Sequence, residues 1–197
     1  MIYGCEHVTR RYGANTILRD LTLSFVPGGC YCLMAPSGAG KTTLFRLLAG
    51  LERPDAGRLV GFDRARCAMV FQEDRLCAHL SPVTNAAMVQ PGRADRAALA
   101  AALGEILPPA CLRQPVRELS GGMKRRVAIA RAVLAPSDVL LLDEPFTGLD
   151  GDSRARTAEW VSRRRAGRLL IFTTHRADEA ALLGAEILPL PAPGAKG

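Results

Sequence analysis

The stretch Ala35-Pro36-Ser37-Gly38-Ala39-Gly40-Lys41-Thr42-Thr43 constrains this 197-residue chain more than any other part of it. An apolar run, Cys30-Tyr31-Cys32-Leu33-Met34, precedes it, and a helical pattern, Leu44 to Ala49, follows. Strand, glycine-rich turn, lysine, hydroxyl and helix make the layout of a phosphate-binding P-loop. Small residues let consecutive backbone N–H groups point at phosphate oxygens, and a helix N-terminus adds unpaired donors and a positive dipole end. Lys41 is placed to neutralise β- and γ-phosphates, and Thr42 to offer its hydroxyl to Mg²⁺. Ala35 stands where the first glycine of such loops is usual. Alanine at a left-handed position would cost about 1–2 kcal/mol, so ordinary dihedrals at the end of a strand are expected there.

A second apolar run, Val139-Leu140-Leu141-Leu142, reads as a parallel strand buried on both faces. It ends in Asp143-Glu144-Pro145. Ligands of open parallel sheets bind at the carboxyl ends of the strands, so these acids are expected near the P-loop. Asp143 is expected to hold Mg²⁺ and Glu144 to polarise an attacking water. The two motifs form a Walker A and Walker B pair.

The rest of the chain reads as an α/β core with additions. Ile2 to Val8 and Thr16 to Phe25 are candidate strands; in the second, Ile17, Leu21, Leu23 and Phe25 partly alternate with polar residues, as in a half-buried antiparallel strand. Gly50 is a helix stop, and Pro54-Asp55-Ala56-Gly57 a turn. Leu59-Val60 and Cys67 to Phe71 read as strands. From Ala78 to Ala135 the pattern is helical: Asp95 to Leu107 up to Pro108-Pro109, then Ser120 to about Leu134, with Val127, Ala130 and Leu134 on one face and Arg125 and Arg126 off it. Helix then follows over Ser153 to Arg165, strand over Leu169 to Thr173, helix over Ala177 to Leu183 and a last strand over Glu186 to Leu190. Pro191 and Pro193 belong to an extended tail. One domain is expected: residues 1–77 and 136–197 as the nucleotide-binding core with a β-subdomain, and 78–135 as a helical subdomain.

Composition narrows the class. Hydrophobic residues make up 48% of the chain, enough for a sizeable core, and no apolar run approaches the ~18 residues of a membrane span. The start, Met1-Ile2-Tyr3-Gly4-Cys5-Glu6, has no basic segment or apolar core of a signal peptide. A cytoplasmic protein is expected. Six scattered cysteines suggest neither a disulfide framework nor a zinc site, and inert thiols are the expectation. The net charge of +7 gathers in Arg113 to Arg131 and Arg154 to Arg168. Anionic partners are one reading of that charge; with few aromatics for base stacking, a solvated helix face is the favoured one.

Leu119-Ser120-Gly121-Gly122-Met123-Lys124-Arg125 is a second anion-binding pattern, a hydroxyl and glycines at a helix start. One chain rarely needs two such devices for one nucleotide, which suggests that one of them serves a second copy.

Together these stretches resemble the ATP-binding cassette (ABC) ATPases over nearly the whole chain. Leu119-Ser120-Gly121-Gly122 is similar to the family's signature motif, with Met123 where glutamine is usual. Gln72, in Val70-Phe71-Gln72-Glu73-Asp74, matches the Q-loop glutamine, Gly148-Leu149-Asp150 the D-loop, and His175, after Thr173-Thr174, the switch histidine. Tyr12, in Arg10-Arg11-Tyr12-Gly13, matches the aromatic that stacks on adenine.

The resemblance implies a P-loop NTPase core with a mainly parallel sheet, an N-terminal antiparallel β-subdomain and a helical subdomain. It implies a head-to-tail dimer with ATP and Mg²⁺ at the interface. Lys41, Gln72, Glu144 and His175 would act in catalysis. Residues 35–43, Tyr12, Gln72 and Asp150 would serve nucleotide binding, with Ser120, Gly121 and Gly122 of the other copy. Thr42, Gln72 and Asp143 would serve the metal. Asp150 would couple the two sites.

Two uses compete: an energy-coupling subunit bound to transmembrane permease subunits on the inner face of the cell membrane, or a soluble ABC ATPase acting on nucleic acid or ribosomes. Soluble members of the second kind usually carry two cassettes or a long coiled-coil insertion, so the transporter subunit is favoured and no direct nucleic acid contact is expected. Phe71 to Leu76 is similar to importer subunits for nitrate, sulfonates and taurine, whereas Cys77-Ala78-His79-Leu80 departs from that group. Asp74 to Pro82 is the expected receiving groove for a permease helix. The chain stops soon after its last core strand, so no inhibition through an appended regulatory domain is expected.

Overall fold

The computed structural model describes residues 2–36 and 38–190. Two compact units divide the chain. The first comprises Met1–Met69, Ser137–Asp143 and Gly167–Gly197; the second comprises Val70–Pro136 and Glu144–Ala166.

The first unit is built on two sheets. Strands β1 (Tyr3–Tyr12), β2 (Asn15–Phe25) and β4 (Ala56–Val60) form an antiparallel sheet in the order β2-β1-β4. Strands β3 (Cys30–Met34), β5 (Cys67–Val70), β6 (Val139–Leu142), β7 (Leu169–Thr173) and β8 (Glu186–Pro189) form a sheet ordered β5-β6-β7-β3-β8. Its β6–β7, β7–β3 and β3–β8 pairs are parallel. The carboxyl ends of β3, β7 and β6 therefore deliver the P-loop, Thr173 and Asp143 to one edge of the sheet.

Helix α1 (Lys41–Leu48) buries Leu44, Phe45, Leu47 and Leu48. They share a core with Val8, Leu21 and Phe25 of the antiparallel sheet and with alternate residues of the parallel one: Tyr31 and Leu33, Val139 and Leu141, Leu169 and Ile171. Full burial of such a side chain contributes roughly 1.5–3 kcal/mol. The opposite faces of these strands are buried too, which is why β6 is apolar at all of its positions, Val139 to Leu142. Gly50 ends α1 at φ 70°, donating to the Leu47 carbonyl.

β1 runs to Tyr12, beyond the expected Val8, because a turn at Gly13 closes a hairpin onto β2. Bulges break its register, and His7 and Asp20 have φ of 53° and 50° with a 2.7 Å contact between His7 Nδ1 and Asp20 Oδ1. The turn expected over Pro54–Gly57 is shorter: Ala56 and Gly57 already belong to β4.

The second unit is helical. It holds α2 (Pro82–Ala87), α3 (Arg96–Gly104), α4 (Gly121–Leu134) and α5 (Gly151–Arg164), with 3-10 turns at Pro109–Arg113 and Val116–Glu118. Helix α2, unforeseen in the sequence, is started by Ser81, whose side chain accepts from Thr84 N, and by Pro82 at its first position. Asp95, Ser120 and Asp150 cap α3, α4 and α5. Trp160 of α5 is fully buried and donates from Nε1 to the Ala102 carbonyl at 3.1 Å.

The expectation that Arg113–Arg131 forms a solvated face fails at α4. Arg125 is 4% exposed, and Arg126 and Arg131 are half-buried, because their guanidinium donors are taken up by backbone carbonyls. The six cysteines are free thiols. Burial pushes Cys5 and Cys67 up to about 11 and Cys32 up to about 12, so they stay protonated and unreactive at neutral pH.

Candidate nucleotide-binding site

The P-loop leaves the end of β3. Ala35 has no left-handed dihedral, as expected, whereas Gly38 and Gly40 have φ of 81° and 86°. Pro36 and Gly38 are exposed, Ala39 is buried, and Ser37 lies outside the described residues. Lys41 is 6% exposed and donates from Nζ to the carbonyls of Ala35 at 2.7 Å and Pro36 at 3.0 Å. Its ammonium thus closes the loop upon itself. The first turn of α1 starts at Gly40 with no side-chain cap and no acidic residue, so its N–H donors remain for an anion.

Thr42 donates from Oγ1 to Asp143 Oδ2 at 2.7 Å, across 101 positions of chain. Thr173 of β7 donates to the other carboxylate oxygen, Asp143 Oδ1, also at 2.7 Å. Asp143 is fully buried, and a buried carboxylate needs such partners. Thr173 was not among the expected site residues: only the adjacency of β6 and β7 brings it there. Hard oxygens of Thr42 and Asp143 suit Mg²⁺, which commonly takes one or two carboxylates or hydroxyls and fills its shell with substrate phosphates. Among the described residues no group of three or more His, Cys, Asp or Glu could hold a metal alone. The donor set fits a metal brought with a nucleotide.

Beyond β7, Thr174 donates to Glu179 and accepts from the Arg176 N–H at 3.1 Å, which fixes the turn that presents the exposed His175. At the end of β1, Tyr12 is exposed; its hydroxyl donates to Glu52, which also accepts from Arg10 and Arg46. These donors hold the Glu52 carboxyl below the usual carboxylate range, the Tyr12 hydroxyl foremost. The Arg10 guanidinium lies 4.8 Å from the Tyr12 ring centroid. Glu52 was not foreseen either.

The second unit carries the remaining candidates. Gln72 is exposed. Glu144 has φ of 47°, one of few non-glycine residues in the left-handed region. Ser120 Oγ accepts from Met123 N at 3.3 Å and so caps α4, with Ser120 and Gly121 exposed. A Cβ at Gly121 would meet open space, whereas one at Gly122 would lie 3.4 Å from the Gly148 carbonyl. Met123 Sδ contacts Cys111 Sγ at 3.8 Å. Asp150 caps α5, accepting from Ser153 N at 2.8 Å and Ser153 Oγ at 2.9 Å, which hold its carboxyl below the usual range.

A family model described as "ABC transporter" matches residues 18–147, from β2 through the Asp143-Glu144 strand end to the residues beyond it. The chain belongs to the ABC transporter family. ATP hydrolysis is that family's general reaction. The cassette is 39% identical over 196 residues to the aliphatic sulfonates import ATP-binding protein SsuB 2 of Burkholderia cenocepacia (strain HI2424), covering 93% of this chain and 72% of the relative. It is 40% identical over 186 residues to the sulfate/thiosulfate import ATP-binding protein CysA 2 of Chromobacterium violaceum, covering 87% of this chain and about half (51%) of that one. The fold is that of the dimeric MJ0796 structure, a bacterial ABC transporter cassette, with a TM-score of 0.85 at 24% identity over 96% of this chain and 94% of the other.

Proposed function

We propose that this cassette hydrolyses Mg²⁺-bound ATP at a site shared by two copies and so powers a membrane importer of a small solute. The observation that carries the reading is the Thr42–Asp143 hydrogen bond, 2.7 Å, beside the uncapped start of α1. It supports the reading because a hydroxyl and a carboxylate of the kind that hold Mg²⁺ lie beside a helix start with no side-chain cap.

Lys41 would exchange its loop carbonyls for β- and γ-phosphate oxygens, with backbone N–H groups of the loop and of the first turn of α1 around them. Thr42, Asp143 and Gln72 would hold Mg²⁺, which supplies charge neutralisation on the phosphates. Glu144 would take the proton of the attacking water, and His175 would keep water and γ-phosphate in line. Tyr12 would stack on adenine, steadied by Glu52. Ser120, Gly121 and Gly122 of a second copy would complete the γ-phosphate shell, and Asp150 would couple the two sites. In this reading residues 1–77 and 136–197 act as the nucleotide-binding core and 78–135 as the helical subdomain.

Among the described residues no helix is long and apolar enough to cross a membrane. In this reading permease subunits supply the path across the membrane, with the cassette peripheral on the cytoplasmic face. A groove lined by Val83, Ala100, Pro109 and Leu112 and flanked by Arg96 and Arg113 offers a permease helix a partly apolar, partly basic seat beside the segment Asp74–Pro82, and Met88 and Val89, just past α2, are exposed. The names of SsuB and CysA relatives favour a sulfur oxyanion class of solute.

Turnover of wild type and Glu144→Gln, measured across protein concentration, tests the proposal. Wild-type activity per subunit should rise with concentration, as a shared site requires. Loss of the base should lower kcat by about 10²–10⁴-fold. Equal rates in both proteins would overturn the role of Glu144. Recovery of ribosomes or nucleic acid, rather than a membrane protein, from detergent extracts would overturn the transport role.

A further inference from the structure

Arg125 is a buried cation in the second unit, and its donors reach several backbone carbonyls as well as the Asp74 carboxylate. Nε donates to the Pro145 carbonyl at 3.0 Å and Nη2 to the Glu144 carbonyl at 2.8 Å. Nη1 donates to the carbonyls of Phe71 at 2.6 Å and Gln72 at 3.2 Å, and to Asp74 Oδ1 at 3.3 Å. One planar guanidinium thus holds the backbones of two loops, those that carry Gln72 and Glu144. Arg131, further along α4, adds donors to the Asp74 and Arg75 carbonyls. The Arg75 guanidinium covers the Phe71 ring at 3.8 Å.

Glu144 has φ of 47°, a conformation that non-glycine residues keep only where surroundings over-determine it. With that dihedral the chain turns out of the line of β6, and the carbonyls of Glu144 and Pro145 both face Arg125. The fork geometry of arginine suits this work: five N–H donors in fixed directions, permanently charged, and no acceptor of its own.

We propose that Arg125 is a positioning residue for hydrolysis: it fixes Glu144 in its left-handed conformation and ties that turn to the Gln72 loop, so that both side chains reach the nucleotide in one register. The proposal rests on the reading of Glu144 as the base. It does not require Arg125 to touch ATP.

The test compares Arg125→Met, Arg125→Lys and Glu144→Gln in the full chain. Arg125→Met should lower kcat by about 10²-fold, the scale of a misplaced reacting group, with KM for ATP little changed. Arg125→Lys, which keeps charge and some donors, should recover part of that loss. Amide exchange should rise together in residues 71–75 and in Glu144, Phe146 and Thr147 of both variants. Should Arg125→Met not fold, Arg125→Lys carries both measurements. A wild-type kcat in the Arg125 variants, with Glu144→Gln inactive, would overturn the proposal and spare the base. Equal turnover of wild type and Glu144→Gln would overturn the base reading instead. Exchange that rises in only one of the two loops would refute the tie between them.

Discussion

Gly40 has φ of 86°, and a Cβ there would lie 2.8 Å from Leu18 Cδ2 and 2.9 Å from Ile17 Cγ2. The dihedral strains any side chain there, and the two methyl groups would have to shift to admit one. Gly40→Ala should lose about 1–2 kcal/mol to the left-handed backbone alone, more with the clash; each 1 kcal/mol shifts Tm by roughly 2–4 °C in a chain of this size. At the other end of the loop, Ala35 sits at ordinary dihedrals. Ala35→Gly should therefore lower stability by about 0.4–1 kcal/mol, through the freer unfolded chain, and leave ATP affinity little changed. Thermal unfolding with and without ATP checks both; a gain in affinity for Ala35→Gly would show that the alanine impairs the loop. The loop was legible in the sequence because its chemistry is local: glycines, lysine and threonine are contiguous. Thr173 under Asp143, and Glu52 under Tyr12, were not legible. Each depends on elements distant in sequence becoming neighbours, and no spacing encodes that.

Helix starts differ in how they are capped. Ser81, Asp95, Ser120 and Asp150 cap α2, α3, α4 and α5 with their own side chains, while α1 begins at Gly40 without one. Ser120 is where the two roles, binding and capping, would overlap in the proposed site, since its oxygen already accepts from Met123 N. Ser120→Ala should cost about 1 kcal/mol through the lost cap. Ser120→Asp should hold Tm, because aspartate caps as well as serine, yet abolish turnover by setting a negative charge against the γ-phosphate. Wild-type turnover in Ser120→Asp would remove Ser120 from the site and leave it a cap only. The starts of α3, α4 and α5 were close to readable from Asp95, Ser120 and the residues after Asp150. The burial of Arg125 was not. A helical wheel sets arginine off the apolar face, because composition cannot anticipate carbonyls turned inward by loops 71–74 and 144–145.

At the scale of the molecule, two stretches with the pattern of an anion-binding device lie on one chain, and each belongs to a different compact unit: α1 with residues 35–43 to the first, Ser120 and α4 to the second. If each nucleotide takes one device from each of two copies, defects in different devices should complement one another. Lys41→Ala leaves its signature serine intact but fails at its own P-loop. Ser120→Asp has an intact P-loop but spoils the site of its neighbour. Each variant alone should be inactive. In a mixture, half-broken pairs form in which one P-loop meets one intact Ser120, so turnover should reappear and should vary with the mixing ratio, highest near equal parts. A site completed within one chain gives a different result: the mixture stays as inactive as its components at every ratio. The Tm of Ser120→Asp, measured beside its turnover, keeps a folding defect from being mistaken for either outcome.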